Sequence, residues 1–305
     1  MKARVQSSAF RVRGSSFRMI AAGILLMSVA AWAQQASQQD LNMEVKGFRV
    51  PEYDGKGVMT SQLFGDHAVM QGGGEVKIDG LRIEFYKESK TVVTVTSPYC
   101  FYNQKTREAH SDAPVAADME RMKMTGRGFL LISSNSTVRV FDDSKVRIKD
   151  AAKTMAGETA GTVATNGVVS TNTETVITSK ELFLDYKARK ARFEKNVHVQ
   201  DSKMEMFCDE LEIQTGQDNQ INWIGASNGV RILSEGREAL AGKATYDVKT
   251  DEIVMQDNPR ITEGKNILMG EQIRFWRNNK RMVCEPSARM VVYSEKKFKT
   301  DMFGK

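Results

Sequence analysis

The chain has 305 residues, with 44 Lys and Arg against 38 Asp and Glu, a formal charge of +6 and a pI near 9.1. Charged residues at 27% and hydrophobic residues at 41% are globular values; they exclude a disordered or collagen-like chain and leave enough length to bury a core. Three histidines, three well-separated cysteines and five prolines argue against a histidine-rich metal site, a zinc finger or a disulfide scaffold.

Residues 1–33 read as an export signal. Lys2, Arg4, Arg11, Arg13 and Arg18 make a basic start without acids, Met19 to Ala33 is uncharged, and Ala31-Trp32-Ala33 supplies a cleavage site. As a helix the uncharged stretch would reach roughly 22 Å, short of the ~30 Å hydrocarbon core of a bilayer. A cleavable signal is therefore expected, with an uncleaved inner-membrane anchor as the alternative. Removing its five cations leaves 39 positive residues against 38 negative ones, a net charge of +1. The basic pI thus belongs to the leader, and nucleic acid is not an expected partner.

Residues 34–150 are expected to form a first β domain. Leu81–Cys100 aligns without gaps on Gly242–Ile261, placing Ile83 on Ala244, Phe85 on Tyr246 and Val92 on Ile253. Later strands are expected at Phe129–Ile132, Val138–Phe141 and Lys145–Ile148, and His67 and His110 are expected in loops. Residues 151–178, rich in Thr, Ala and Gly and lacking aromatics, read as a flexible linker.

Residues 179–305 hold the strongest signal, an internal repeat. Glu181–Ile213 lies over Lys243–Phe275 at a shift of 62 without a gap: Asp185 falls on Asp247, Lys187 on Lys249, Asn196 on Asn258 and Val199 on Ile261. Each unit halves into an acid-led apolar strand, a polar turn and a second strand marked by Asn196, Asn228, Asn258 or Ser287, which are expected at turns or bulges. Ala191, Phe193, Val197 and Val199 share one parity and Arg192, Glu194, Asn196 and His198 the other, the period of a half-buried strand. Ile221 and Trp223, then Val230 and Ile232, are expected inward by the same rule. The fold class expected is all-β, a twisted antiparallel β-jellyroll or solenoid of hairpin half-repeats, whose stacked inner faces make one apolar groove. A closed, dry core without ligand is the competing reading.

No nucleophile–His–acid trio and no glycine-rich phosphate loop is present, so an enzyme is not expected and no cofactor or metal is implied. Cys100, Cys208 and Cys284 allow at most one intramolecular disulfide, and buried thiols are expected at Cys100 and Cys284. Lys187, Lys190, Arg192, Lys195 and Arg277 are candidates to meet lipid phosphates at the groove mouth, against a solvated face as the simpler account.

Ala191-Arg192-Phe193-Glu194-Lys195-Asn196-Val197-His198-Val199-Gln200-Asp201, followed by Cys208-Asp209-Glu210-Leu211-Glu212-Ile213, resembles the OstA-like repeat of the LptA–LptC family of periplasmic lipopolysaccharide-transport proteins. Lys195 stands where that repeat has glycine and Cys208 where it has a small residue. Gly57-Val58-Met59 through Gly65-Asp66-His67-Ala68, then Ser97-Pro98 and Gly126-Arg127-Gly128-Phe129, is similar to the LptC-type member. The resemblance implies an LptC-like unit at 34–150 and an LptA-like unit at 179–305, each a β-taco that holds the acyl chains of lipopolysaccharide. Groove-lining positions would be Leu184, Phe193, Val197, Trp223, Val230, Tyr246, Met255, Ile261, Phe275 and Met282. It further implies a bridge to the outer membrane, with edge-strand pairing to the inner-membrane ABC exporter and the outer-membrane translocon, and self-association as a further option.

Overall fold

The computed structural model describes residues 44–71, 74–103, 105–119, 122–132, 135, 137–149, 174–202, 204–217, 220–279 and 281–293. The expected signal at 1–33 and residues 151–173 of the expected linker lie outside them.

The described residues form nineteen strands and no α-helix. The first seven are β1 Glu44–Tyr53, β2 Met59–Met70, β3 Glu75–Lys87, β4 Lys90–Asn103, β5 Glu108–Met119, β6 Met122–Ile132 and β7 Thr137–Lys149. Then come β8 Glu174–Ser179, β9 Glu181–Asp185, β10 Lys190–Gln200, β11 Met204–Thr215, β12 Ile221–Ser234 and β13 Arg237–Asp247. The last six are β14 Glu252–Gln256, β15 Arg260–Glu263, β16 Asn266–Met269, β17 Gln272–Trp276, β18 Arg281–Glu285 and β19 Arg289–Val291. All pair antiparallel in one sheet. The alternation that makes strands is plain in β5, where Ala109, Ser111, Ala113, Val115 and Ala117 are buried between wetter neighbours.

The expected linker ends earlier than residue 178. Glu174–Ser179 is strand β8, with Thr175, Ile177 and Ser179 buried in strict alternation. Thr175-Val176-Ile177-Thr178 is a β-branched run of high strand preference, hidden when composition is averaged over the longer segment. His67 and His110 are likewise strand residues, in β2 and β5, where His67 is half-buried beside buried Ala68 and His110 is exposed between buried Ala109 and Ser111.

A single sheet cannot bury one face unless it folds over, and the strands bend where it does. Lys195 and Asn196, Asn228 and Gly229, Asp257 and Asn258, and Ser287 all have φ between 54° and 81°. At the first two of these sites the strand pairing shifts register, between Glu194 and Val197 and between Ser227 and Val230. These are mid-strand bulges that turn each strand from one wing of the sheet to the other. Asparagine tolerates the left-handed region; Lys195 is the costlier occupant. In the first half buried serines mark the same line: Ser97 donates to the Tyr99 carbonyl, Ser111 accepts from Ala113 N–H, and Ser144 pairs with Ser179 at 2.6 Å.

The two halves are joined as one sheet. β7 pairs through Ser144–Lys149 with β8 and through Thr137–Val140 with β9, so the broken strand β8–β9 lies along β7 on both wings. The buried cluster runs without interruption from Leu63 to Phe275 and includes Val140, Val146, Ile177 and Leu182 at the joint. Tracing pairing from strand to strand puts the turns after Met70, Asn103, Ile132, Asp185, Thr215, Asp247 and Trp276 on one rim. Those after Tyr53, Lys87, Met119, Gln200, Ser234 and Glu263 lie on the other. The two hairpins aligned between the halves, 87–90 and 247–252, therefore sit on opposite rims.

Candidate functional site

The inner face is apolar apart from buried serines and threonines along it, and its exposure is graded. Beside the bend line Phe193, Val197, Leu211, Val230, Met255 and Ile261 are at most 2% exposed. Toward the first rim Ile213, Ile224 and Ile253 rise to 6–9%, and Leu184, Ala191, Ile221, Tyr246 and Met282 are half-buried while still packed on the core. Toward the second rim Val199 and Ala239 stay at 0% and 1%, but Met206 and Ile232 rise to 8% and 7%, and Met204, Leu268, Met119, Met122 and Ile148 are half-buried. The interior is thus sealed along the bend and loosens toward both rims.

Of the ten sequence-based positions, Phe193, Val197, Val230, Met255 and Ile261 belong to the sealed floor, Leu184, Tyr246 and Met282 to the mouth, and Phe275, 3% exposed, lies at mouth level opposite Ile253 and Met282. Trp223 belongs to neither. It pairs with Gln214 and Asp247, and its ring lies against Gly225 on the outer face, where any side chain at 225 would collide with it. The cause is a register shift between Gln214 and Thr215, opposite Ile221–Trp223. One extra residue reverses the parity that otherwise makes Ile221 and Trp223 share a face. Ile221 is among the residues expected inward but not among the groove-lining positions, and Ile224 is the mouth residue that alternation counted through the bulge misses; counted from the bulge, it falls inward.

Charges at the mouth are arranged by the turns. Arg277, 8% exposed, lies 4.4 Å over the Tyr246 ring and meets Asp251 at 2.7 Å, while the Tyr246 hydroxyl donates to Asp251 at 2.9 Å. Burial above all, reinforced by Asp251, pushes the Tyr246 phenol up to about 12 although Arg277 opposes it. Turn-to-turn hydrogen bonds tie this rim together: Thr215 N–H to Arg189 carbonyl, Val248 N–H to Asn222 carbonyl and Arg277 N–H to Asp251 carbonyl, at 3.0–3.1 Å.

At the joint between the halves Glu181 receives Arg139 from β7 at 2.6 Å and Lys195 from β10. Hydrogen bonds from these two cations hold its carboxyl down at about 2. Of the cations expected to meet phosphates, Lys190 is tied to Glu212, Arg192 to Glu194, Lys195 to Glu181 and Arg277 to Asp251; only Lys187 has no carboxylate partner among the described residues. Cys100, Cys208 and Cys284 are free thiols, and burial pushes Cys100 and Cys208 up to about 12.

Residues 176–281, about a third of the chain, match the family model described as LptA/(LptD N-terminal domain) LPS transport protein. Among solved structures the chain is similar to LptH, the LptA homologous periplasmic component of the conserved lipopolysaccharide transport device from Pseudomonas aeruginosa. That likeness is at 13% identity and a TM-score of 0.36, over 39% of this chain and 95% of that one. No curated protein gives a match to the chain. The family match spans β8 to the start of β18, the bend-line asparagines and most of the mouth. Residues 176–281 are therefore similar to the LptA/LptD N-terminal family of lipopolysaccharide-transport proteins.

Proposed function

We propose that the chain is a periplasmic component of lipopolysaccharide transport, which binds the acyl chains of the lipid on its inner face and hands them on without catalysis. The observation that carries this reading is the family match over 176–281 on a sheet whose apolar inner face continues, unbroken, across both halves. Each methylene transferred from water to such a face contributes about 0.8 kcal/mol, so a few acyl chains suffice for tight holding. Residues 34–150 act in this reading as an LptC-like unit and 179–305 as an LptA-like one, the leader exporting both.

The sheet has two free edges. Among the described residues β1 pairs only with β2, and β18 and β19 pair only with β17 and β16. Fifteen strand positions at ~4.8 Å put these edges roughly 67 Å apart. β1 carries Pro51 and exposed Glu44, Lys46 and Arg49, devices that discourage pairing. The other edge exposes Met290, Val292 and Tyr293 and is the better template for a partner's strand. Bridging between exporter and translocon would use these two ends.

A closed-core structural sheet is the second reading, favoured by the sealed floor at Phe193, Val230 and Met255. Depletion of the protein distinguishes them: newly made lipopolysaccharide should accumulate at the inner membrane, and unchanged delivery to the outer membrane would overturn the transport reading.

A further inference from the structure

The first rim carries a repeated turn that an apolar groove alone does not require. Turns 103–107, 185–189 and 247–251 share an Asn or Asp at the first place, a Lys at the third and a left-handed residue at the fifth. The first-place side chains accept backbone N–H groups of their own turns: Asn103 from Lys105 at 2.9 Å, Asp185 from Ala188 at 2.7 Å and Asp247 from Thr250 at 2.9 Å. The fifth-place residues Arg107, Arg189 and Asp251 have φ of 59°, 56° and 53°, a conformation that glycine takes more easily.

This turn fixes where the charges go. Asp185 and Asp247 are committed to backbone, and Asp251 to Arg277 and Tyr246. Lys105, Lys187 and Lys249 are exposed and have no carboxylate partner among the described residues; nor do Arg107 and Arg189. The three lysines occupy every second hairpin across both halves, about 19 Å apart at ~4.8 Å per strand. The opposite rim over the second half presents Asp201, Glu235 and Glu263 beside Lys265, and its Arg237 is tied to Glu263 at 3.2 Å.

We propose that Lys105, Lys187 and Lys249, with Arg107 and Arg189, form a row of stations for the phosphate headgroups of the amphiphile whose acyl chains enter beside Leu184, Ile221 and Tyr246. The assignment rests on the transport reading above and adds the orientation of the cargo: headgroups over the first rim, chains beneath it. A lysine ammonium donates charge-assisted hydrogen bonds to phosphate, and the spacing is too wide for one phosphate to bridge two stations, so each station holds its own lipid.

The test compares the full chain with a Lys105→Gln, Lys187→Gln, Lys249→Gln triple variant and with a Lys56→Gln, Lys265→Gln control on the second rim. Binding is measured to purified lipopolysaccharide, to the same material after phosphatase treatment, and with inorganic phosphate as competitor. The triple variant should lose roughly tenfold in affinity for the phosphorylated lipid, from three exposed charge contacts, with affinity for the dephosphorylated lipid kept. The control should bind both as the native chain does, and inorganic phosphate should compete weakly. Unchanged binding of the phosphorylated lipid by the triple variant, or equal loss for both lipids, would overturn the rim assignment alone. Full competition by inorganic phosphate would make the rim a site for free anions and overturn the headgroup claim. A native chain that binds neither lipid would overturn the transport reading itself.

Discussion

Glu181 takes two cations, Arg139 and Lys195, and its behaviour with pH follows from these partners. Its carboxyl is held near 2 against an ordinary 4.5, so the folded state favours the ionised form. A depressed carboxylate contributes stability that is fully present above pH 4.5 and is lost as pH falls through about 2. Glu181→Gln should therefore cost about 1–2 kcal/mol at neutral pH, and the difference from the native chain should shrink between pH 4.5 and 2 in denaturant titrations. Constant destabilisation across that window would contradict the account. Lys195, the other half of this pair, sits at φ 66°, a conformation glycine takes more easily. Thiol labelling gives a second residue-scale check: in the native protein Cys284, half-buried, should react before Cys100 and Cys208, whose thiols stay neutral well above pH 9. In the core, Met255→Ala should cost about 2–5 kcal/mol through the cavity it leaves, whereas Lys56→Ala on the second rim should stay within about 0.5 kcal/mol.

At the scale of elements, the joint is the feature with the clearest consequence. Because β7 pairs with both β8 and β9 and the core passes through Val146, Ile177 and Leu182, cutting the chain between residues 151 and 173 should leave two pieces that co-elute. Ile177→Asp, which places a charge at a fully buried position in the joint, should separate the cut pieces; separation without that substitution would contradict a continuous sheet. Much of this architecture was legible beforehand. Alternation in Ala191–Val199 identified β10, the 62-residue shift paired the hairpins at 185–190 and 247–252, and Asn196, Asn228 and Asn258 marked the bends because asparagine is among the few residues that accept φ above zero. What escaped depends on pairing between strands, which a single sequence does not display. Straight alternation puts Trp223 inward because the register shift beside it lies across the ladder in Gln214–Thr215, and composition reads Glu174–Thr178 as linker because that segment gains its partners from β7. The mouth was legible only in part: alternation separates inside from outside but says nothing about how far along the strand a residue sits, and that distance distinguishes Tyr246 from Met255.

For the whole molecule, one sheet of nineteen strands folded on itself gives a single apolar interior about 67 Å long between two unlike edges. Its bend line is sealed, both rims are looser, the first rim is edged with lysines that have no carboxylate partner among the described residues, and each edge strand lacks a second partner among those residues. These features fit a conduit that holds lipid along its length and passes it from one end to the other. The central claim is that the inner face near the first rim carries lipopolysaccharide, and photo-crosslinking in cells tests it most directly. Crosslinkers placed one at a time at Leu184, Ile221 and Tyr246 should capture lipopolysaccharide, and one at Trp223, on the outer face of the same wing, should not. No adduct at the three mouth positions in folded protein, or equal capture at Trp223, would contradict it.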